Sequence, residues 1–107
     1  MRRGTTPTIT LTVDADLTGW TVYATFKSGG KQLTFENDRM EMTYTPGSQG
    51  ATGKTSIEIT LTQQETLSLG VGNAEVQVRA IHDGTAIATD IQTVDVGRII
   101  KEGVIDE

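Results

Sequence analysis

The chain contains no cysteine, one histidine, two prolines and few aromatic residues among its 107 positions. Without cysteine, neither a disulfide nor a thiolate metal site can support the core. No apolar run approaches the roughly 20 residues that a membrane helix needs, so we expect no membrane contact. The length suits one domain with one core, and it leaves no room for a second domain that would form a cleft with the first.

Positive charge is also scarce. Nine Lys and Arg residues stand against 14 Asp and Glu residues, which gives a net charge of −5. The basic residues are scattered, and Arg2 and Arg3 are their only adjacent pair. Because nucleic-acid binding depends on clustered cations that displace counterions, the sequence predicts no nucleic-acid partner.

Threonine is abundant, with 19 residues against four serines, and most threonines occupy alternate positions. β-Branched side chains favour strands, and alternation with apolar residues is typical of a strand with one buried face. The sequence predicts an all-β fold, an immunoglobulin-like antiparallel β-sandwich of about seven strands with one short helical turn. The predicted strands cover residues 8–13, 20–27, 32–35, 39–44, 55–61, 74–82 and 86–96.

The same alternation assigns the two faces of each strand. The predicted core side chains are Ile9, Leu11, Val13, Trp20, Val22, Ala24, Phe26, Met40, Met42, Tyr44, Ile57, Ile59, Leu61, Val76, Val78 and Ala80. Tyr23 and Ile81 are the apolar exceptions on the outward faces, and they indicate a covered or partner-facing surface.

Two local signals interrupt the strand pattern. Residues 62–65, Thr-Gln-Gln-Glu, have the spacing of a capping box and predict a helical turn. In the last predicted strand, Ile87 and Ile91 share one parity while Val94 and Val96 share the other. This change of phase predicts a bulge, or a crossing between sheets, near residues 92–93.

The stretch GSQGATGKTSIEIT, residues 47–60, ends its glycine-rich part in Gly-Lys-Thr as a phosphate-binding loop does. A P-loop requires a further glycine where this chain has Ser48, and it must open a helix. Here the alternation that follows Thr55 indicates a strand. The sequence therefore favours a flexible connection between two strands over a nucleotide site.

Asp14 and Asp16 begin a segment that resembles the start of an EF-hand calcium loop. The twelfth position of such a loop holds a bidentate glutamate, but it is Thr25 here. The pattern favours an Asp-rich turn and leaves weak calcium binding by the two carboxylates open.

The single histidine, His82, precedes Asp83-Gly84, a pair typical of a two-residue hairpin turn, and we expect it at the surface. Glu41, Glu58 and Glu75 have outward parity and read as a solvated acidic surface. Since no residues with the spacing of an acid–base or nucleophilic site stand out, we predict a protein that is not an enzyme and uses no cofactor or metal.

The C-terminal stretch VGRIIKEGVIDE places Ile99, Ile100, Val104 and Ile105 after the last predicted strand. We therefore expect a sandwich domain over residues 1–97 and a tail segment over residues 98–107. The four aliphatic side chains must pack either along the edge of their own domain or on a neighbouring subunit of a homo-oligomer, and the sequence leaves both alternatives open.

Three stretches, RRGTTPTITLTV, TLTQQETLSL and VQVRAIHDGTAIATDIQTVDVGRIIKEGVI, resemble small β-sandwich proteins encoded by phages and prophages of Gram-positive bacteria. The chain is similar to the N-terminal domain of lactococcal-type baseplate upper proteins. The resemblance implies a non-enzymatic structural module associated with the tail or baseplate. Its partners would be phage structural proteins, and it would be located in the virion or, during assembly, in the host cytoplasm.

On this basis we predict a protein–protein interface rather than a catalytic site. Its predicted residues are Arg2, Arg3, Thr5, Tyr23, Ile81, Ile99, Ile100, Val104 and Ile105. The alternative is a carbohydrate-binding module, in which Trp20 and Tyr23 would stack on sugar rings and the acidic turns would hold calcium.

Overall fold

The computed structural model describes residues 1–50, 52–97 and 103–106. Its strands are β1 (Thr8–Val13), β2 (Thr21–Ser28), β3 (Lys31–Phe35), β4 (Glu41–Thr45), β5 (Lys54–Thr60), β6 (Gly72–His82), β7 (Thr85–Ala88) and β8 (Gln92–Val96). A 3₁₀ turn (Asn37–Arg39) links β3 to β4, and the short helix α1 (Gln63–Ser68) links β5 to β6.

The strands form two antiparallel sheets. One sheet has the order β1-β5-β4, and the other has the order β3-β2-β6-β7, with β8 continuing along the same edge of β6 as β7. This arrangement corresponds to the B-E-D and C′-C-F-G sheets of immunoglobulin domains, with β7 and β8 together in the place of strand G. The structure thus confirms the predicted immunoglobulin-like sandwich.

The core lies between the two sheets and consists mainly of the predicted inward residues. The buried hydrophobic side chains are Leu11, Val13, Leu17, Val22, Ala24, Phe26, Phe35, Ile57, Ile59, Leu61, Leu69, Ala74, Val76, Val78, Ala80 and Val96. Ile9, Trp20, Met40 and Met42 are partly buried against them.

Tyr44 was predicted in the core, and that prediction is wrong because Tyr44 is 37% exposed. Tyr44 lies near the open end of edge strand β4, where its ring extends over Gly53 across the hairpin. Leu17, which belongs to no strand, is instead 1% exposed and fills the core from the connection between β1 and β2.

The last predicted strand is two strands in the structure, so the described residues form eight strands rather than the predicted seven. Arg79 pairs with Ala88, and Val76 pairs with Gln92. Between these two pairs β6 has two residues, 77–78, whereas the segment that links β7 to β8 has three, 89–91. One extra residue on one side is a β-bulge. The predicted change of phase is therefore confirmed as a bulge, slightly earlier than expected, and the chain does not cross to the other sheet.

Both predicted local turns are present. The Thr62 hydroxyl accepts a hydrogen bond from the backbone N–H of Glu65, and the Glu65 carboxylate accepts one from the backbone N–H of Thr62, which completes the capping box. Asp83 and Gly84 have φ angles of 48° and 78° and close the β6–β7 hairpin between His82 and Thr85. Such left-handed angles favour an Asp-Gly pair in a two-residue turn.

Candidate interaction surfaces

The outward face of the larger sheet carries both predicted apolar exceptions. Tyr23 of β2 lies opposite Arg79 of β6, while Ile81 of β6 lies between Thr21 of β2 and Ala86 of β7. Tyr23 and Ile81 are therefore diagonal neighbours on one face, within reach of each other's side chains. Ile81 is 45% exposed, and Tyr23 is half-buried. We call the surface formed by Tyr23, Arg79, Ile81 and Ala86 the outer face.

Beside Tyr23 the outer face continues into an open groove of about 410 Å³ that includes Phe35, Arg39 and Glu65. Arg39 of the 3₁₀ turn donates hydrogen bonds of 2.8 and 2.7 Å to the two carboxylate oxygens of Glu65 in α1. It also donates to the backbone carbonyl of Thr60, and its guanidinium lies 4.9 Å from the centre of the Phe35 ring. Arg39 thus ties together β3, β5 and α1, which belong to different layers of the sandwich.

The same contacts set the titration of this pair. Hydrogen bonds from Arg39 lower the pKa of Glu65 below its ordinary value, and the backbone N–H of Thr62 lowers it further against the opposing effect of burial. Hydrogen bonding to Glu65 raises the pKa of Arg39. Both groups therefore stay charged at neutral pH, and their pairing is structural, since each bonds to the other and to backbone groups within the domain.

The N-terminal segment lies along the end of β8. The amino group of Met1 donates to the carbonyl of Asp95, Gly97 donates its N–H to the carbonyl of Met1, and Arg3 donates its N–H to the carbonyl of Gly97. Arg2 and Gly97 form a parallel bridge. The segment therefore follows β8 as a short parallel strand would.

The predicted interface residues Arg3 and Thr5 have contacts within the domain. The Arg3 guanidinium donates to the carbonyls of Leu67 and Leu69 at the C-terminal end of α1, where a cation also interacts favourably with the helix dipole. Thr5 donates its hydroxyl to the carbonyl of Arg2 and accepts at its own carbonyl from the hydroxyl of Thr66. These contacts fix the segment, and the predicted contact with a partner stays a prediction.

The tail segment returns to its own domain at α1. The Gln63 side chain donates its amide N–H to the carbonyl of Ile105 and accepts from the N–H of Ile105, as a paired strand residue would. Val104 and Ile105 are nevertheless 54% and 55% exposed. Backbone docking on the domain and exposed aliphatic side chains thus occur together. Ile99 and Ile100 lie outside the described residues.

The aromatic residues suggested for sugar stacking differ in their positions. Trp20 is half-buried against the core, and its ring lies 5.5 Å from that of His82, centre to centre. His82 in turn lies 3.3 Å from the carboxylate of Asp83. Trp20 therefore presents no free flat face like that of an exposed ring, whereas Tyr23 lies on the outer face.

The Asp-rich turn is held by its own hydrogen bonds. Asp16 accepts from both the backbone N–H and the hydroxyl of Thr18, and the hydroxyl chiefly lowers the pKa of Asp16. Asp14 lies 3.7 Å from the ammonium group of Lys54. Within the described ranges no group of three or more His, Cys, Asp or Glu side chains could hold a metal ion.

The sheet order also places the outward carboxylates. Glu41 of β4 lies directly opposite Glu58 of β5 on the smaller sheet, whereas Glu75 lies on the larger sheet. Like charges placed opposite each other destabilise a sheet. All three carboxylates are exposed to solvent, as expected for a solvated acidic surface. Among the residues that the structure describes, no helix is long and apolar enough to cross a membrane.

Two side chains with structural roles were not predicted from the sequence. Asn37 accepts from the N–H of Val22 and donates to the carbonyl of Trp20, which extends the pairing of β2 beyond the end of β3. Thr55 is 2% exposed, donates its hydroxyl to the carbonyl of Ala15 and accepts from the N–H of Leu17. Only the inward parity of Thr55 signalled its burial, and nothing local signalled Asn37.

The fold and these surfaces place the chain among immunoglobulin-like sandwiches with a partly apolar outer face. Comparisons with protein-family models, curated proteins and solved structures gave no match to the chain.

Proposed function

We propose that this protein is a non-enzymatic structural module of a phage or prophage particle, associated with the tail or baseplate, and that it acts through protein–protein contacts. The observation that carries the proposal is the outer face, where exposed Ile81 lies beside Tyr23 on a rigid sheet. Aromatic and aliphatic side chains on a rigid surface, bordered by a cation such as Arg79, are typical anchors of protein interfaces.

The neighbouring contacts support this role. Each half of the ion pair between Arg39 and Glu65 is satisfied within the domain, so the pair stiffens the groove beside Tyr23. A rigid surface loses little conformational entropy on binding. We do not propose carbohydrate binding, because the ring of Trp20 packs against His82.

The proposal is tested by incorporation into particles. A tagged copy is expressed in the strain that carries the gene, particles are purified on a density gradient, and the tag is quantified in the particle band. The wild-type protein should be found in the band, and Ile81→Ser should lower its amount about tenfold, the effect of about 1.4 kcal/mol of lost contact. A wild-type protein that stays entirely in the soluble fraction would overturn the proposal.

Val71→Ser is the matched control. Val71 is 56% exposed, similar to Ile81, but it lies between α1 and β6 rather than on the outer face. Incorporation should be unchanged in this variant. Equal losses for both variants would show that the outer face has no special role, while thermal melting of each purified variant would confirm that the domain is folded.

A further inference from the structure

Strand β1 lies at one edge of the smaller sheet. The carbonyl of Pro7 accepts a hydrogen bond from the N–H of Leu61, which shows that residue 7 and its alternate successors direct their backbone groups toward β5. In an antiparallel strand the N–H and C=O of one residue point to the same side. The N–H and C=O groups of Thr8, Thr10 and Thr12 therefore point away from β5. In the described part of the chain no strand pairs with that side.

The other sheet edges carry features that discourage pairing with another chain. Edge strand β3 begins with Lys31 and edge strand β4 begins with Glu41. β7 has four residues and ends at the bulge, and the end of β8 is covered by the N-terminal segment. Charges, short strands, bulges and covering segments all protect an edge. β1, with the sequence TITLTV, has no charge, no proline and no bulge.

We propose that two copies of this chain associate through β1, which pairs with β1 of the second copy in antiparallel orientation about a two-fold axis at Thr10. The two three-stranded sheets then become one six-stranded sheet. This inference goes beyond the proposed function, because it concerns the purified protein alone and requires no other particle component.

A second copy fits this edge because the strand complements itself. With Thr10 opposite Thr10 of the other copy, Thr8 faces Thr12 and Ile9 faces Leu11. Threonines thus meet on the outward face, and aliphatic side chains meet on the face of the core. If the pairing shifted by one residue, the threonines of one copy would lie on the core face. The pairing must therefore keep threonine opposite threonine.

The same register also makes the fullest use of the free backbone groups. The backbone groups of Thr8, Thr10 and Thr12 point away from β5, and in each copy they would exchange N–H···O=C hydrogen bonds with the other copy. The contact brings no like charges together, although each chain has a net charge of −5. Ile9, which is only partly buried in a single copy, gains a neighbour across the new pair.

The first test is the dissociation constant of the dimer, measured by analytical ultracentrifugation over a range of concentrations. Thr10→Pro removes an N–H that the β1–β5 ladder does not use, and proline is tolerated on such an edge position. Thr10→Lys places two ammonium groups opposite each other at the axis. Each substitution should weaken the dimer at least about tenfold relative to the wild type.

Thr43→Lys is the matched control for charge and exposure. Thr43 is an exposed outward threonine on β4, the opposite edge strand of the same sheet. This variant should associate like the wild type.

A second readout uses Thr10→Cys, because the chain has no cysteine of its own. Two residues opposite each other in a hydrogen-bonded antiparallel pair have Cα atoms about 5.5 Å apart, within the disulfide range.

Oxidation should therefore join two Thr10→Cys chains covalently, and Thr43→Cys chains should stay separate. A wild-type protein that is monomeric at every concentration would overturn the inference and would leave particle incorporation as a separate result. A dimer that is unaffected by both Thr10→Pro and Thr10→Lys would also overturn it, since another surface would then hold the copies together.

Discussion

The ion pair between Arg39 and Glu65 should stabilise the fold by an amount that depends on pH. The Arg39 side chain is 37% exposed and the Glu65 side chain 19%. Exposed pairs contribute about 0.2–1 kcal/mol, and hydrogen bonds to charged groups away from water contribute about 1.5–3 kcal/mol. For this partly exposed, two-pronged pair we expect a coupling free energy of about 1 kcal/mol.

Two substitutions separate the charge from the other contacts. Glu65→Gln keeps an oxygen that can accept from the N–H of Thr62, so the cap persists while the charge is lost. It should cost about 1 kcal/mol, or about 4 °C in melting temperature for a domain of this size. Arg39→Met also loses the hydrogen bond to Thr60 and the contact with the Phe35 ring, so it should cost about 2 kcal/mol.

The assay is a double-mutant cycle of urea unfolding, repeated at several pH values. The folded-state pKa of Glu65 is lowered from 4.5, so the stabilisation is fully present above pH 4.5 and is lost as pH falls through the folded pKa. The coupling should thus be about 1 kcal/mol near neutral pH and should vanish in strong acid.

Glu58→Gln is the matched control, because Glu58 lies opposite another carboxylate, that of Glu41, across the strand pair. Its neutralisation should leave stability unchanged or raise it slightly. Additive effects of Glu65→Gln and Arg39→Met at neutral pH, within about 0.3 kcal/mol, would refute the assigned coupling.

Two further substitutions test the smaller sheet. Thr55→Val removes a buried hydroxyl that bonds to two backbone groups of the β1–β2 connection. Urea unfolding should show a loss of about 1–3 kcal/mol in the free energy of unfolding. Ser56→Ala, on the outward face of the same strand, should cost less than about 0.5 kcal/mol. Gly53→Ala would place a Cβ 2.5 Å from the carbonyl oxygen of Thr45 and 2.6 Å from the ring of Tyr44, so thermal melting should show a loss of about 1–3 kcal/mol. An unchanged melting temperature would show that the hairpin relaxes freely.

The features that the sequence predicted well are those whose causes lie within a few residues. The capping box depends on Thr62 and Glu65, and the hairpin turn depends on Asp83 and Gly84. The bulge could be predicted because one extra residue reverses the parity of every later side chain, so Val94 turns inward while Ile91 is exposed.

The features that the sequence did not predict depend on contacts between distant segments. Arg39 was placed in a strand, but it belongs to the 3₁₀ turn, and its partner Glu65 follows 26 residues later. Asn37 pairs with the backbone of β2 only because β3 ends before β2 does. Neither position follows from periodicity, since the role of Asn37 requires the pairing of β2 with β3, and the role of Arg39 requires the packing of the two sheets and α1.

The position of the N-terminal segment explains why β1 has only β5 as a neighbour among the described strands. In constant-type immunoglobulin domains, strand A lies in the same sheet as strand B, which corresponds to β1 here. In this chain the residues before β1 instead pair with β8, where Met1 and Arg3 exchange backbone hydrogen bonds with residues 95–97.

The contacts of Arg3 explain why the segment lies there. Carbonyls at the C-terminal end of a helix have no intrahelical donors. The Arg3 guanidinium donates hydrogen bonds to two of them here, those of Leu67 and Leu69. A segment folded back along β1 would give up these charge-assisted hydrogen bonds as well as the pairing with β8. The interactions that fix the N-terminus on the larger sheet therefore leave the backbone of β1 on the smaller sheet open to a strand from another chain.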